Sequence, residues 1–335
     1  MTEPPLVSVV IVNWNGAHHL RVCLPSLLEQ SHQPLEIIVV DNGSTDDSAA
    51  VTEKFQARWL PLMENVGLAP ALNQGAAIAG GSFLLFVNND MRFDPGFIAA
   101  LLDPFSSDDR IFATDGMQYY WEGSKPAHLA VRLTKHPPSG CSSVELVPGL
   151  FFYQQSVSQP ESVFLASAAC MLVRKSVFLE IGGFDNRLPM GYEDAEICWR
   201  AITLGWKIIY VPTAICWHHV GSSGRSLEGA RFNFRGILKG RLLLSTKLLP
   251  PRYALVTWFI SAGGLLKDLS RLRWPFAKDR IKVLLEFTRL IPEFLREKRV
   301  LFRIAGITPQ QQLNRILRLT SEKEDRESVT AMPLR

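Results

Sequence analysis

The first ninety residues repeat one pattern three times, and this pattern narrows the possible folds more than any other feature. A near-continuous β-branched or apolar run (residues 7–12, 36–40 and 82–87) ends in a cluster of Asn, Asp, Gly or Ser, and a segment with helical spacing follows. A run that is apolar on both faces has to be covered on both, so the pattern predicts βαβ units, a mainly parallel sheet and a helical layer on each side. The strands are expected at Leu6–Val12, Glu36–Val40 and Ser82–Val87, and the helices at Ala17–Gln30 and from the Ser44-Thr45-Asp46 cap to about Phe55. A small-residue helix is expected inside 64–81, and another from Pro95 to about Leu102. The polar clusters then lie at the carboxyl ends of the strands, where such sheets bind ligands.

Further along, Gln118–Gln159 is rich in Pro, Ser, Gly and aromatics and reads as strands and loops. Val163–Arg174 reads as a strand, and a short helix follows, ending at Gly182-Gly183. Next come a helix over Glu193–Leu204 and a strand over Lys207–Val211. Beyond Phe232 the spacing is helical, with breaks expected at Pro250-Pro251, Pro275 and Pro292. With 335 residues, 47% of them apolar, one large α/β domain and an appendage can both be buried. The expected division is a catalytic domain over 1–228, a basic amphipathic helical extension over 229–320 and a polar, disordered tail over 321–335.

Charge sharpens that division. Residues 225–303 hold 18 Lys or Arg against 6 Asp or Glu, about +12, while the whole chain carries only +4. Cys23, Cys141, Cys170, Cys198 and Cys216 are widely spaced without a C-x-x-C pair, as expected of reduced thiols in a cytoplasmic protein. The opening residues lack a basic n-region and read as a first strand, not as a leader. The longest apolar stretch of the extension, Ala254–Leu266, is shorter than the roughly 20 residues of a spanning helix, so no transmembrane segment is expected.

Three clusters carry groups able to do chemistry. Asn13 and Asn15 follow the first strand, and Asp41, Gly43, Ser44 and Asp46 follow the second; their amides and carboxylates suit a pyrimidine edge and a ribose, although the same residues are common in turns. Asn88, Asn89 and Asp90 follow the 82–87 strand. Mg2+ or Mn2+ takes oxygen ligands and keeps waters or phosphates in its shell, so Asp90 alone is a candidate ligand. Glu193 and Asp194 open a helix, whose dipole favours carboxylates and would keep Asp194 ionised as a general base. His218 and His219 close the set, either as metal ligands or as histidines packed beside Trp217.

The ordered series VSVVIVNWNG, IIVVDNGSTDDS, NVGLAPALNQG, FVNNDMRFDPG, GGFDNRLPMGYEDAEICWR and WHHVGSSG resembles the family 2, GT-A-type inverting glycosyltransferases, in particular their bacterial rhamnosyltransferase-like members. The resemblance spans about residues 6–226. It implies a Rossmann-like sheet flanked by helices, a nucleotide-sugar donor (UDP- or dTDP-linked) and a glycan or lipid-linked acceptor in cell-surface polysaccharide synthesis. It implies that Asp41 binds the base with Asn13, Asn15 and Ser44 around it, and that Asn65, Asn73 and Asn89 shape the donor pocket. Asp90 takes the last place of the family's D-x-D signature, whose first position is here the neutral Asn88; Asp194 takes the place of the catalytic base. His218, with His219 as the alternative, takes the place of a metal-binding histidine. Glu193 and Trp217 are candidates either for contact with the acceptor or for packing behind the residues that make it. Asp185 is expected to cap a turn.

The basic extension suits an anionic bilayer surface, or else a subdomain packed on the core with a solvated basic face. That places the protein in the cytoplasm or peripherally on the inner face of the cell membrane. No nucleic-acid motif accompanies the charge. Two competing readings are a nucleotidyltransferase, which should show a Gly-rich basic phosphate loop that NWNGAHHL lacks, and a noncatalytic nucleotide-sugar-binding scaffold, which has no use for Asp194.

Overall fold

The computed structural model describes residues 3–123, 125–139, 141–188, 190–219 and 227–318. The tail expected over 321–335 and the GSSG part of the last motif lie outside the described residues. Strands β1 (Val7–Asn13), β2 (Leu35–Asp41), β3 (Arg58–Pro61) and β4 (Phe83–Asn88) pair in parallel, and helices α1 (Ala17–Leu28), α2 (Ser48–Lys54) and α3 (Leu68–Ile78) make the crossovers. Asn13 is in register with Asp41, and Val12 with Asn88. All three polar clusters therefore leave the sheet at one edge.

The α/β fold is the expected one, and its sheet becomes mixed beyond β4. The further elements are β5 (Met91–Phe93), α4 (Phe97–Leu102), β6 (Ile111–Tyr120), β7 (Pro126–His128), β8 (Ala130–Thr134), β9 (Ser143–Val147), β10 (Leu150–Gln155), β11 (Glu161–Ser162), β12 (Cys170–Arg174), α5 (Lys175–Glu180), α6 (Glu193–Thr203) and β13 (Lys207–His218). The main sheet runs β11-β13-β6-β12-β4-β1-β2-β3, with β5 on β13 and β7 on β6; β8-β10-β9 form a second, three-stranded sheet. β12 is antiparallel to both β4 and β6. One apolar layer joins α3, α5 and α6 to one face of the main sheet, and another joins α1 and α4 to the other face.

Two local expectations are corrected, and one strand was not assigned from the sequence. Of Val163–Arg174 only Cys170–Arg174 is strand; the preceding residues are apolar because they are buried, and their amides go to separate acceptors, among them Ile208 O, Val131 O and the Asp115 carboxylate. β13 continues past Val211 to His218, with Pro212 inside a register shift between Val211 and Ile215, where a missing N–H costs no ladder bond. β6 was hidden by Asp115-Gly116, a dipeptide typical of turns. Here Asp115 is fully buried in the strand, and Gly116 is required because a Cβ would lie 2.6 Å from the Ala214 carbonyl oxygen.

In the C-terminal part, α7 (Leu227–Lys247), α8 (Pro251–Ser270) and α9 (Trp274–Ala305) pack on one another around Leu238, Leu242, Val283, Phe287 and Phe294. The expected break at Pro292 does not occur: α9 runs through it, held by Phe287 and Phe294 in the core on either side. The two halves are joined by ions. Lys247, almost fully buried, lies 2.9 Å from each of Asp185, Glu196 and Glu297, and Arg187 bridges Asp185 to Glu293 and Glu297. Asp185 does accept the Arg187 backbone N–H in a turn, but its carboxylate is also the centre of this network, which holds it far below the usual carboxylate range against the desolvation of its site.

Candidate active site

The first cluster is a closed knot of hydrogen bonds. Asn13 is fully buried at the end of β1; its amide nitrogen donates to Asp41 Oδ1 (3.3 Å), Ser44 Oγ (3.2 Å) and Ser48 Oγ (2.8 Å), and its oxygen accepts from Asn89 Nδ2 at 2.7 Å. Asp41 Oδ2 accepts the Ser44 N–H at 3.0 Å. Asn15, in the left-handed region at φ 50°, accepts the Thr45 N–H at 2.8 Å, and its own N–H goes to Ser44 Oγ. Ser44 and Thr45 thus tie the first two strand ends together instead of capping α2. Asp46 serves both helices, accepting Ala17 N–H at the start of α1 and Ser48 N–H at the start of α2. Asn65 accepts from Asn42 and from the Gly67 N–H, fixing the loop before α3. Asn73 spends its amide on the 183–186 loop, bonding Phe184 and Asn186.

The second cluster faces the last strand. His218 Nε2 lies 3.3 Å from Asp90 Oδ1 and 3.4 Å from the Asn88 amide, while Nδ1 lies 3.1 Å from Gln118 Oε1. A Gln118 oxygen at Nδ1 favours a proton on that nitrogen, which leaves Nε2 as the ring nitrogen turned toward Asp90. Two lone-pair donors held 3.3 Å apart match neighbouring ligands of one small divalent ion, for which bonds of about 2.1 Å at right angles give about 3.0 Å. Among the described residues no group of three His, Cys, Asp or Glu converges, so substrate oxygens or waters would complete such a shell. His219 is exposed, its ring 5.9 Å from Trp121 and 5.7 Å from His19, and only its backbone N–H reaches Asp90. Of the two histidines, His218 is the one aimed at Asp90.

The third cluster reverses an electrostatic expectation. Glu193 and Asp194 start α6, yet desolvation outweighs the helix dipole: the Asp194 carboxyl is raised, and Glu193, buried beside the Asp194 charge, is pushed up to about 8. Glu193 Oε2 has no hydrogen-bond partner among the described residues. The charges that face Asp194 from other elements are His128 on β7 and Asp115 on β6. Asp115 accepts His128 Nε2 at 2.7 Å, Ser167 N–H at 3.0 Å and Gly116 N–H at 2.9 Å. His128 is raised although burial opposes it, because the charges of Asp115 and Asp194 favour its cation. The charge of a His128 cation favours the ionised form of Asp194 against the desolvation that raises it.

A measurable consequence concerns Glu193. Its folded pKa lies above the ordinary carboxyl value of about 4.5, so its contribution to stability is full below that value and lost as pH rises through about 8. Glu193→Gln, which stays neutral, is expected to gain on wild type with rising pH, by up to a few kcal/mol at pH 8.5 and by little at pH 5. Thermal unfolding at the two pH values reads this directly; an equal difference at both contradicts it.

Asp115, His128, Gln118 and Arg92 were not singled out from the sequence. Only Asp115-Gly116, a charge inside an otherwise apolar run, offered a signal, and it reads equally as a turn. Trp217 stands over the Arg92 guanidinium, 4.3 Å from it.

Comparison with known proteins identifies the family. The glycosyl transferase family 2 profile matches residues 8–182. The N-acetylglucosaminyl-diphospho-decaprenol L-rhamnosyltransferase of Mycobacterium tuberculosis is 32% identical over 243 residues, covering 66% of this chain and 78% of that protein. The poly-β-1,6-N-acetyl-D-glucosamine synthase of Staphylococcus aureus is 23% identical over 215 residues, and the chain spans about half of its length (49%). In fold, the chain is similar to a Pyrobaculum calidifontis mannosyltransferase solved with GDP-Man and Mn2+ (TM-score 0.52, 15% identity, 85% of this chain and 87% of that one). It is similar also to GalNAc-T7 solved with UDP, GalNAc and Mn2+ (TM-score 0.53, 16% identity, 73% and 51%). The strand-end knot, the Asp90–His218 pair and the acidic start of α6 are therefore parts of a glycosyltransferase, and the chain belongs to glycosyl transferase family 2.

Proposed function

We propose that this chain transfers a sugar from a UDP- or dTDP-linked donor to a hydroxyl of a glycan or lipid-linked acceptor, with inversion, in cell-surface polysaccharide synthesis. The observation that carries the reading is one continuous polar chain across the sheet edge. Asp41, Asn13 and Asn89 are hydrogen-bonded in series, Asp90 follows Asn89 and meets His218, and His218 bonds Gln118, whose ladder partner His128 is paired with Asp115 near Asp194. Base recognition at Asp41, diphosphate and cation at Asp90 and His218, and proton removal at Asp194 then follow in the order a bound donor and acceptor require. Mg2+ or Mn2+ held by Asp90 and His218 would supply positive charge to the departing diphosphate. Asp194 takes the proton of the acceptor hydroxyl as its oxygen attacks the anomeric carbon; the bond to the diphosphate breaks on the opposite side, and no covalent intermediate forms. The rhamnosyltransferase relative, named for a diphospho-linked lipid acceptor, supports an acceptor of that class.

Titrating UDP-, dTDP- and GDP-sugars with Mn2+ while following thermal unfolding tests the donor class. A UDP or dTDP nucleotide is expected to stabilise the protein by about 2.7 kcal/mol at a hundred times its Kd; no stabilisation by any of them would remove the reading.

A second observation supports work at a membrane surface. No helix among the described residues is long and apolar enough to cross a membrane. On α8, however, Leu255 (73% exposed), Phe259 (81%) and Leu266 (73%) form an outward stripe. The acids of α8 and α9, Asp268, Asp279, Glu286, Glu293 and Glu297, are each ion-paired to an Arg or Lys of the fold, whereas Lys267, Arg271, Lys278, Lys282 and Arg289 are exposed. The exposed surface of these helices is thus apolar and cationic, which suits an anionic membrane surface. The protein is expected to float with phosphatidylglycerol-containing vesicles and not with neutral ones, and Phe259→Asp is expected to reduce flotation; equal partitioning to both vesicle types contradicts the placement.

A further inference from the structure

Arg92 is a cation that the fold holds firmly and, among the described residues, leaves without an acid. It lies on β5, two residues after Asp90. Its guanidinium is 4.3 Å from the Trp217 ring and 5.2 Å from that of Trp121, so two indoles clasp it. The Trp217 side of the clasp is fixed in turn: the β6–β7 turn passes so close that a Cβ on Gly123 would lie 3.3 Å from the indole nitrogen. No carboxylate among the described residues pairs with Arg92, and its Nε–H is buried without a hydrogen-bond partner. Burying an unpartnered charged donor costs stability that the flanking rings only partly offset. A fold that keeps such a donor is arranged to have it met from outside.

The ladder shows which way it faces. Arg92 is opposite Trp217 on β13, and Trp217 is opposite Tyr119 on β6, so these side chains share one face of the sheet. Asp115, four residues before Tyr119 on β6, is on that face as well, and this is the face against which α6 packs. Arg92 therefore lies on the side of the sheet that carries Asp194, and next to Asp90 in the chain.

We infer that Arg92 is a phosphate-binding residue of this site, presenting its Nε–H and one terminal N–H to two oxygens of a reactant's diphosphate. The planar fork of a guanidinium matches two oxygens of a phosphate, and the two indoles hold that plane without neutralising its charge. The inference rests on the glycosyl-transfer reading, in which both the donor and a diphospho-linked acceptor bring diphosphates. Either may supply the oxygens; the chemistry is the same.

The test compares wild type, Arg92→Gln and Arg92→Lys for binding of UDP and dTDP with Mn2+, and of a short-chain prenyl diphosphate, by calorimetry. Arg92→Gln is expected to weaken at least one of these by about tenfold or more, and Arg92→Lys, which keeps the charge and loses the fork, by a smaller factor. Loss confined to the prenyl diphosphate assigns the acceptor's diphosphate, and loss confined to the nucleotides assigns the donor's. Unchanged affinity for all probes in folded Arg92→Gln overturns the inference. Should that variant not fold, wild-type affinity of Arg92→Lys for every probe overturns it. Wild-type protein that binds no nucleotide fails the proposed function itself, a different result from wild-type binding that is indifferent to Arg92.

Discussion

Asp194→Asn is expected to lower the rate of sugar transfer by about 10²- to 10⁴-fold while nucleotide binding stays within a few-fold of wild type. The amide keeps the volume of the carboxylate, and its oxygen can still accept the Ala195 N–H that Asp194 Oδ1 accepts at 2.7 Å, so α6 still starts at the same place. What is lost is the acceptor of the hydroxyl proton. Because desolvation raises the Asp194 carboxyl, the acid limb of the wild-type rate profile should lie above the pH of an ordinary aspartate, with activity falling as pH drops through the raised value. His128→Gln removes the cation that counters this desolvation and should move the limb further upward. Unchanged transfer in Asp194→Asn would leave the base assignment without support.

The second large effect is expected at Asp90. It is the sole carboxylate of the Asn88-Asn89-Asp90 cluster, and Asp90→Asn leaves His218 Nε2 facing only amides. Transfer should fall by about 10²- to 10³-fold, as for loss of a group that stabilises developing charge. The Mn2+-dependent part of nucleotide binding should disappear, while metal-independent binding through the Asp41 knot persists. His218→Gln should show a milder form, about 10- to 100-fold. Equal Mn2+ dependence in wild type and Asp90→Asn, read by thermal shift with UDP or dTDP, would show that the cation binds elsewhere.

These residues were legible in the sequence because they follow strands whose apolar runs are continuous. The end of such a run fixes where Asn13, Asp41 and Asp90 emerge, and parallel pairing fixes that they emerge together. Asp115 and His128 were not legible for the opposite reason. β6 carries its charge in mid-strand, and the partners that satisfy Asp115 come from β7 and from the irregular 163–169 segment, up to 52 residues away. Local spacing cannot announce a carboxylate whose burial depends on such distant donors. The direction of the shifts at Glu193 and Asp194 was hidden likewise: the helix start is a local feature, whereas the burial that outweighs it belongs to the assembled core. Pro292 shows the same limit from the other side, since a residue that breaks an isolated helix is carried by the packing of Phe287 and Phe294.

Asn88 stands where the signature of the family that the sequence resembles has an acid. In the proposed cation site, Asp90 would bring the one negative charge, His218 would bind through Nε2 while Nδ1 faces Gln118, and the donor's diphosphate would bring the rest. On that proposal, cation binding should be strongly coupled to nucleotide binding.

The central claim is a single displacement with Asp194 as the base, and the anomeric configuration of the product tests it most directly. With a donor identified by thermal shift, NMR of the first-formed product should show the configuration inverted relative to the donor. Retained configuration would contradict the account, because it demands a second displacement or a front-side path in which one general base opposite the leaving diphosphate has no place.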